Sequence, residues 1–160
     1  KAGFEKLKAK LSDISSKGQN TKDKLIKAID DDTSAFDEVI KAMRMPKDTE
    51  EEKKLRDKKM QEGYKIATLV PLETVENCKD ALYICKNISE LMDESMASDV
   101  GSGALMANAG ANAAAYNVRI NLKSITDKSF SSTTTSKLET SLKDCENTLE
   151  TILKNVEECL

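Results

Sequence analysis

The sequence predicts an all-α protein, an antiparallel multi-helix bundle, on three observations. Lys, Glu, Leu, Ala and Ser are plentiful, aromatic residues make up only 4% of the chain, and just two prolines and six glycines interrupt it. Straight-chain residues and Ala lose little side-chain entropy in a helix, so this composition favours helices. Apolar residues recur at spacings of three and four, and no strand-like alternation or internal repeat is present. At 160 residues the chain is long enough for one domain with a real core.

The helices can be placed in order. Phe4, Leu7, Leu11 and Ile14 open the helical pattern, which weakens around Ser15 to Asn20. It resumes at Leu25 and runs through Ile29, Ala35, Phe36, Val39, Ile40 and Met43. Pro46 ends it, because the residue before a proline is pushed out of helical geometry. Thr49 and Glu52 then form a capping box, in which Thr49 accepts from a free backbone N–H and Glu52 reaches back. That helix is expected to reach about Leu69, with Pro71 marking either a kink or the first turn of a new helix. The stripe Val75, Cys78, Leu82, Cys85, Ile88 and Met92 continues the pattern. Ser98 is the next expected N-cap, opening a Gly- and Ala-rich helix from Val100 to about Leu122. The Ser/Thr-rich stretch Ser129 to Ser136 reads as a loop. A last helix from Ser136 to Glu157 carries Leu138, Leu142, Cys145, Leu149, Ile152 and Val156 on one face.

Composition also excludes functions. The net charge of −3 and the interleaving of acids with bases give no basic face for nucleic acid. The least polar window, Val100 to Val118, holds three asparagines and no bulky apolar run, so no membrane span is expected. The four cysteines form no CxxC pair, and the chain has no histidine, so no metal site is expected. Cys78 and Cys85 share a helix face about 10 Å apart along the axis, too far to bridge. Reduced thiols and the lack of a signal peptide point to the cytoplasm. The chain begins at Lys1 rather than Met, which suggests a piece of a longer protein.

Two places break the pattern. Asp32 shares a helical face with Ala28, Ile29, Ala35, Phe36 and Val39. A carboxylate on an apolar face is paired, caps a break in the helix, or is functional. Asp30 and Asp31 beside it add negative charge, which together with burial would favour a protonated carboxyl. The second place is the segment Gly101 to Asn121. Its small residues allow another helix to approach closely, while Asn108, Asn112, Asn117 and Asn121 recur along it. Such asparagines form either a polar seam between helices or a ligand-binding face.

These residues resemble one family. Asp30-Asp31-Asp32-Thr33-Ser34-Ala35-Phe36 is similar to the aspartate-rich motif of formimidoyltetrahydrofolate cyclodeaminases and methenyltetrahydrofolate cyclohydrolases. Met45 to Lys53 resembles the family's proline-lysine-threonine-glutamate loop. Val70-Pro71-Leu72 with Glu76, Ser98-Asp99, and Asn117 to Leu122 resemble further family motifs in the same order. Departures occur as well. A proline- and glycine-rich segment expected upstream of Lys1 is not in the sequence. Met92-Asp93 stands where the family has glycine-asparagine, and Ala113 where it has glycine.

The resemblance implies a substrate that is tetrahydrofolate carrying a one-carbon unit, with no other cofactor. In cyclodeamination N10 attacks the formimino carbon on N5, ammonia leaves, and 5,10-methenyltetrahydrofolate forms. In cyclohydrolysis water attacks that methenyl carbon instead. The resemblance places the acid–base role on Asp32, the aspartate directly before the motif threonine. It implies substrate-binding roles for Asp30, Lys47, Asp99, Asn117, Arg119 and Asn121. Lys47 and Arg119 would hold folate's glutamate carboxylates, and Asp99, Asn117 and Asn121 the pterin. It also implies a homodimer or larger homo-oligomer. The competing expectations are a non-enzymatic helical interaction module, with an exposed apolar groove, and a family member that has lost catalysis.

Overall fold

The computed structural model describes residues 2–160, with side chains at Glu5 and from Leu7 onward. Phe4, the first expected apolar position, lies outside the described side chains. The chain forms four helices, α1 (Ala2–Met43), α2 (Glu50–Ser89), α3 (Glu94–Leu122) and α4 (Lys128–Cys159). No strand occurs among the described residues.

Helix α1 runs without a break through the segment where the apolar pattern weakens. The reason lies in its seam. Ile14, Gly18, Thr21, Leu25, Ala28, Asp32, Ala35, Val39 and Ala42 follow one another at alternating steps of four and three. Ile14, Thr21, Ala35, Val39 and Ala42 are buried. Thr21 and Gly18 thus keep the register through the polar stretch, and one helical glycine costs only about 1 kcal/mol. The Asp32 position is helical, so this residue does not cap a break.

Helix α2 starts at the expected capping box. Thr49 Oγ1 accepts from the Glu52 N–H at 3.2 Å, and a Glu52 carboxylate oxygen accepts from the Thr49 N–H at 2.9 Å. It does not stop or restart at Pro71, which lies inside a continuous helix. Helix α3 begins a turn earlier than expected. Asp93, not Ser98, is its N-cap and accepts from the Ser95 N–H at 3.0 Å. The Ser/Thr-rich stretch is helical rather than a loop, because Asp127 caps α4 ahead of it by accepting from the Phe130 N–H at 3.0 Å. Its hydroxyls then turn back onto the helix, as Ser131 Oγ does by donating to the Asp127 carbonyl at 2.9 Å.

Helix α2 is the hub. It packs against α1, α3 and α4, and α3 packs against α4, whereas among the described residues α1 meets neither α3 nor α4. Consecutive helices are antiparallel: Gly63 lies against Val39, Gly110 against Cys78 and Gly101 against Val156. Helices α2 and α4 run in the same direction, with Lys65 paired to Asp127, Ser141 to Glu76 and Asn155 to Ser89. The main core lies among α2, α3 and α4, where Val75, Leu82, Val118, Leu138, Cys145 and Ile152 are fully buried. A smaller cluster of Ala35, Val39 and Ala67 holds α1 to α2. The consequence for function is geometric. With α1 and α3 both resting on α2 but not on each other, a trough is left between them.

Candidate functional site

The trough runs along α2 and has two parts. One, of about 330 Å³, is lined by Asp32 and Phe36 from α1, Tyr64 and Ala67 from α2, and Asn117, Ile120, Asn121 and Ser124 from α3 and the following link. The other, of about 270 Å³, lies between Ala28, Ile29 and Asp32 of α1 and Gly110, Ala113, Ala114 and Asn117 of α3, with Pro71 and Thr74 as its floor. Asp32 and Asn117 line both parts. Asp32 is the only charged side chain lining either one, among the described residues.

Asp32 occupies a seam position of α1, where its neighbours one turn away, Ala28 and Ala35, are at least half-buried. The side chain itself is exposed. The burial expected for it is therefore not supplied by this chain, because the seam at that level faces the open trough and not a packed helix. Asp31 is turned aside and pairs with Lys27. The small residues Gly110, Ala113 and Ala114 leave α3 without bulk on its trough side, which keeps the space open. Asn121 is anchored across the floor, its Nδ2 donating to the Ala67 carbonyl at 2.7 Å.

The fold thus brings Asp32, Asn117 and Asn121 together and leaves the other expected site residues elsewhere. Asp30 is exposed and sits about 200° round α1 from Asp32. Lys47 is exposed in the link between α1 and α2. Asp99 lies on α3 about 27 Å along the axis from Asn117. Arg119 points away from the trough and donates to Glu139 of α4 at 2.9 Å. Tyr64 and Ser124 lie outside every motif of the sequence, while Phe36 and Ile120 lie within two of them without an expected role. Tyr64, Ala67 and Pro71 do fall at steps of three and four on α2, so their common face was readable once Pro71 is placed inside the helix.

A second polar cluster lies on the opposite side of α2. Glu76 accepts from Lys79 Nζ at 2.7 Å and from Ser141 Oγ of α4. Burial alone would raise the Glu76 carboxyl, but the Lys79 and Ser141 hydrogen bonds outweigh it and hold it below the usual range. Cys145, buried beneath, has its thiol pushed up to about 11 by that burial. All four cysteines are free thiols. Among the described residues no group of three His, Cys, Asp or Glu side chains is placed to hold a metal ion, and no helix is long and apolar enough to cross a membrane.

The bundle thus sets one carboxylate beside two amide side chains along an open trough. Comparison with known proteins makes the class specific. The formiminotransferase-cyclodeaminase family model matches residues 1–140, and the chain belongs to that family. It is 34% identical over 139 residues to the methenyltetrahydrofolate cyclohydrolase of Methylorubrum extorquens, covering 87% of this chain and 67% of that protein. It is also 34% identical over 142 residues to the formimidoyltransferase-cyclodeaminase of Gallus gallus, covering 89% of this chain but only 26% of that protein. The structure superposes on a formiminotetrahydrofolate cyclodeaminase from Thermotoga maritima with a TM-score of 0.85 and 25% identity, covering 99% of this chain and 75% of that one.

Proposed function

We propose that this chain is the helical part of a folate one-carbon enzyme, forming 5,10-methenyltetrahydrofolate from 5-formimidoyltetrahydrofolate with release of ammonia. The observation that carries the reading is the placement of Asp32 beside Asn117 and Asn121, as the single charged group of the trough among the described residues. Family membership supplies the substrate class. The pterin ring lies in the trough against Phe36, Tyr64 and Ile120, and Asn117 and Asn121 hydrogen-bond its edge. N10 attacks the formimino carbon, a tetrahedral carbon forms, and the Asp32 carboxylate takes the proton that N10 sheds and passes it to the amino group, which leaves as ammonia. No separate cofactor is needed, since the substrate carries the carbon and the step is proton transfer. A second reading, hydrolysis of 5,10-methenyltetrahydrofolate, rests on kinship with the bacterial cyclohydrolase. There Asp32 takes the proton from the attacking water.

Lys47 and Arg119 reach folate's glutamate carboxylates only through its extended tail or from a second subunit, and Asp30 and Asp99 join the site only by the latter route. A homodimer belongs to this reading, as does action in the cytoplasm.

The test is to incubate the full-length protein with 5-formimino- and with 5,10-methenyltetrahydrofolate and follow the methenyl absorbance. General acid–base catalysis contributes about 10²–10⁴-fold, so Asp32→Asn should lose activity in that range. Because Asp32 is exposed, the variant should fold like the wild type. An Asp32→Asn protein turning over within about threefold of wild type would refute the assignment.

A further inference from the structure

Pro71 has no backbone N–H, so the carbonyl one turn before it, that of Ala67, has no donor within α2. A proline ring inside a helix also crowds the carbonyl one turn before it. Leaving the carbonyl of this buried residue unpaired would be costly. The donor it receives comes from another helix: Asn121 Nδ2 of α3, at 2.7 Å. This is the Asn121 that lines the trough beside Asp32 and Asn117.

The contact decides which way the Asn121 amide faces. A carboxamide carries two N–H donors on one side and an acceptor oxygen on the other. Flipping it would set Oδ1 against the Ala67 oxygen, acceptor against acceptor, so the contact holds only one orientation. Among the described residues no group donates to Asn121 Oδ1. It is therefore free to serve as a neutral acceptor in the trough that Asp32 also lines.

We propose that Pro71 is a positioning residue that sets substrate selectivity through Asn121. By stripping Ala67 of its helical donor it locks the Asn121 amide with its oxygen toward the trough. The trough then favours a substrate ring whose edge donates an N–H to that fixed oxygen. The choice of a pterin as that ring rests on the function proposed above; the lock itself does not.

Two measurements on the full chain separate them. In ¹⁵N-labelled protein without substrate, side-chain amide exchange reads the lock directly. Wild type should show one slowly exchanging Asn121 side-chain proton. Pro71→Ala, which returns a backbone donor to the Ala67 carbonyl and suits a helix interior, should lose that protection. Equal protection in both proteins overturns the proposal.

The second measurement is steady-state turnover of 5-formiminotetrahydrofolate. One neutral hydrogen bond corresponds to roughly 3–10-fold in binding, so Pro71→Ala should raise KM by about that factor and leave kcat within about twofold. In an Asn121→Ala background the same Pro71 substitution should change KM no further, because the two act through one bond. Additive effects, or a fall in kcat with KM unchanged, overturn it. If wild type neither binds nor converts folate, the function reading and the choice of ring both fail, and amide exchange still decides the lock.

Discussion

Gly63 shows how one missing methyl sets the distance between α1 and α2. A Cβ built there would stand 3.2 Å from Val39 Cγ2 and 3.3 Å from both Val39 Cα and N. A side chain can move, but the Val39 backbone moves only if the two helices separate. Overpacking of this kind costs about 1–3 kcal/mol, against a gain of about 1 kcal/mol from replacing a helical glycine by alanine. Gly63→Ala should therefore be destabilising on balance and lower Tm by about 2–6 °C in a calorimetric scan. Gly18 is the control on the neighbouring helix, since nothing lies within 4 Å of its added Cβ. There only the propensity gain operates, and Gly18→Ala should raise Tm by about 2–4 °C. A rise at both positions would mean that α1 rests on α2 more loosely than the structure has it.

Helices α2 and α4 are tied by the Glu76 cluster, and this makes their packing acid-sensitive. The carboxyl of Glu76 is held below its ordinary value of 4.5 by Lys79 and Ser141, in spite of partial burial. A group with a depressed folded pKa binds fewer protons in the native than in the unfolded chain. Its stabilisation is thus complete above about pH 4.5 and is lost as pH falls through the folded value. Urea unfolding midpoints measured from neutral pH down to about pH 3 should fall less steeply in Glu76→Gln than in wild type below about pH 4.5. Parallel curves would show that Glu76 carries no part of the acid sensitivity. The same contact explains why α4 accepts polar residues on its packed face. Thr134, Ser141 and Thr148 are all buried there, and Ser141 is buried because it has Glu76 to donate to.

Taken by itself, the chain leaves one long face unmet. Leu105, Tyr116 and Ile120 of α3 are 51%, 70% and 55% exposed, and they lie on the side away from the core with Ala109 among them. The Gly/Ala-rich helix is therefore buried on one face only, that of Ala104, Ala111, Ala115 and Val118. This apolar strip, with Asn112 set within it, suits a helix of a second copy laid against it. The strip borders the trough at Ile120, so a partner there would also cover Asp32. Light scattering should give twice the 17.6 kDa of one chain, and Tyr116→Glu, at a position that makes no core contact, should give a folded monomer. A wild-type monomer at micromolar concentration would defeat this assembly. So would a Tyr116→Glu protein that remains dimeric.

Helix period is a local property, and it made much of this protein readable. The all-α class, the Thr49–Glu52 box and the apolar stripes from Leu25 to Met43, Val75 to Met92 and Leu138 to Val156 follow from residue spacing, whereas the continuity of α1 through Ser15 to Asn20 and of α2 through Pro71 does not. The same spacing marks Asp32 as the one charge in the first of these stripes. Where two cap-forming residues competed, as with Asp93 and Ser98, or where hydroxyls filled a helix, as at Ser129 to Ser136, local preference misplaced the boundary because packing outweighs a few tenths of a kcal/mol per residue. Which helix each face meets is a matter of residues far apart in the chain. That α1 rests on α2 alone, that Asp32 consequently faces an open trough, that Arg119 turns to Glu139, and that Asn121 supplies the donor Pro71 took from Ala67 all depend on contacts between distant segments. No periodicity within one helix encodes them, since each exists only when two helices are in place.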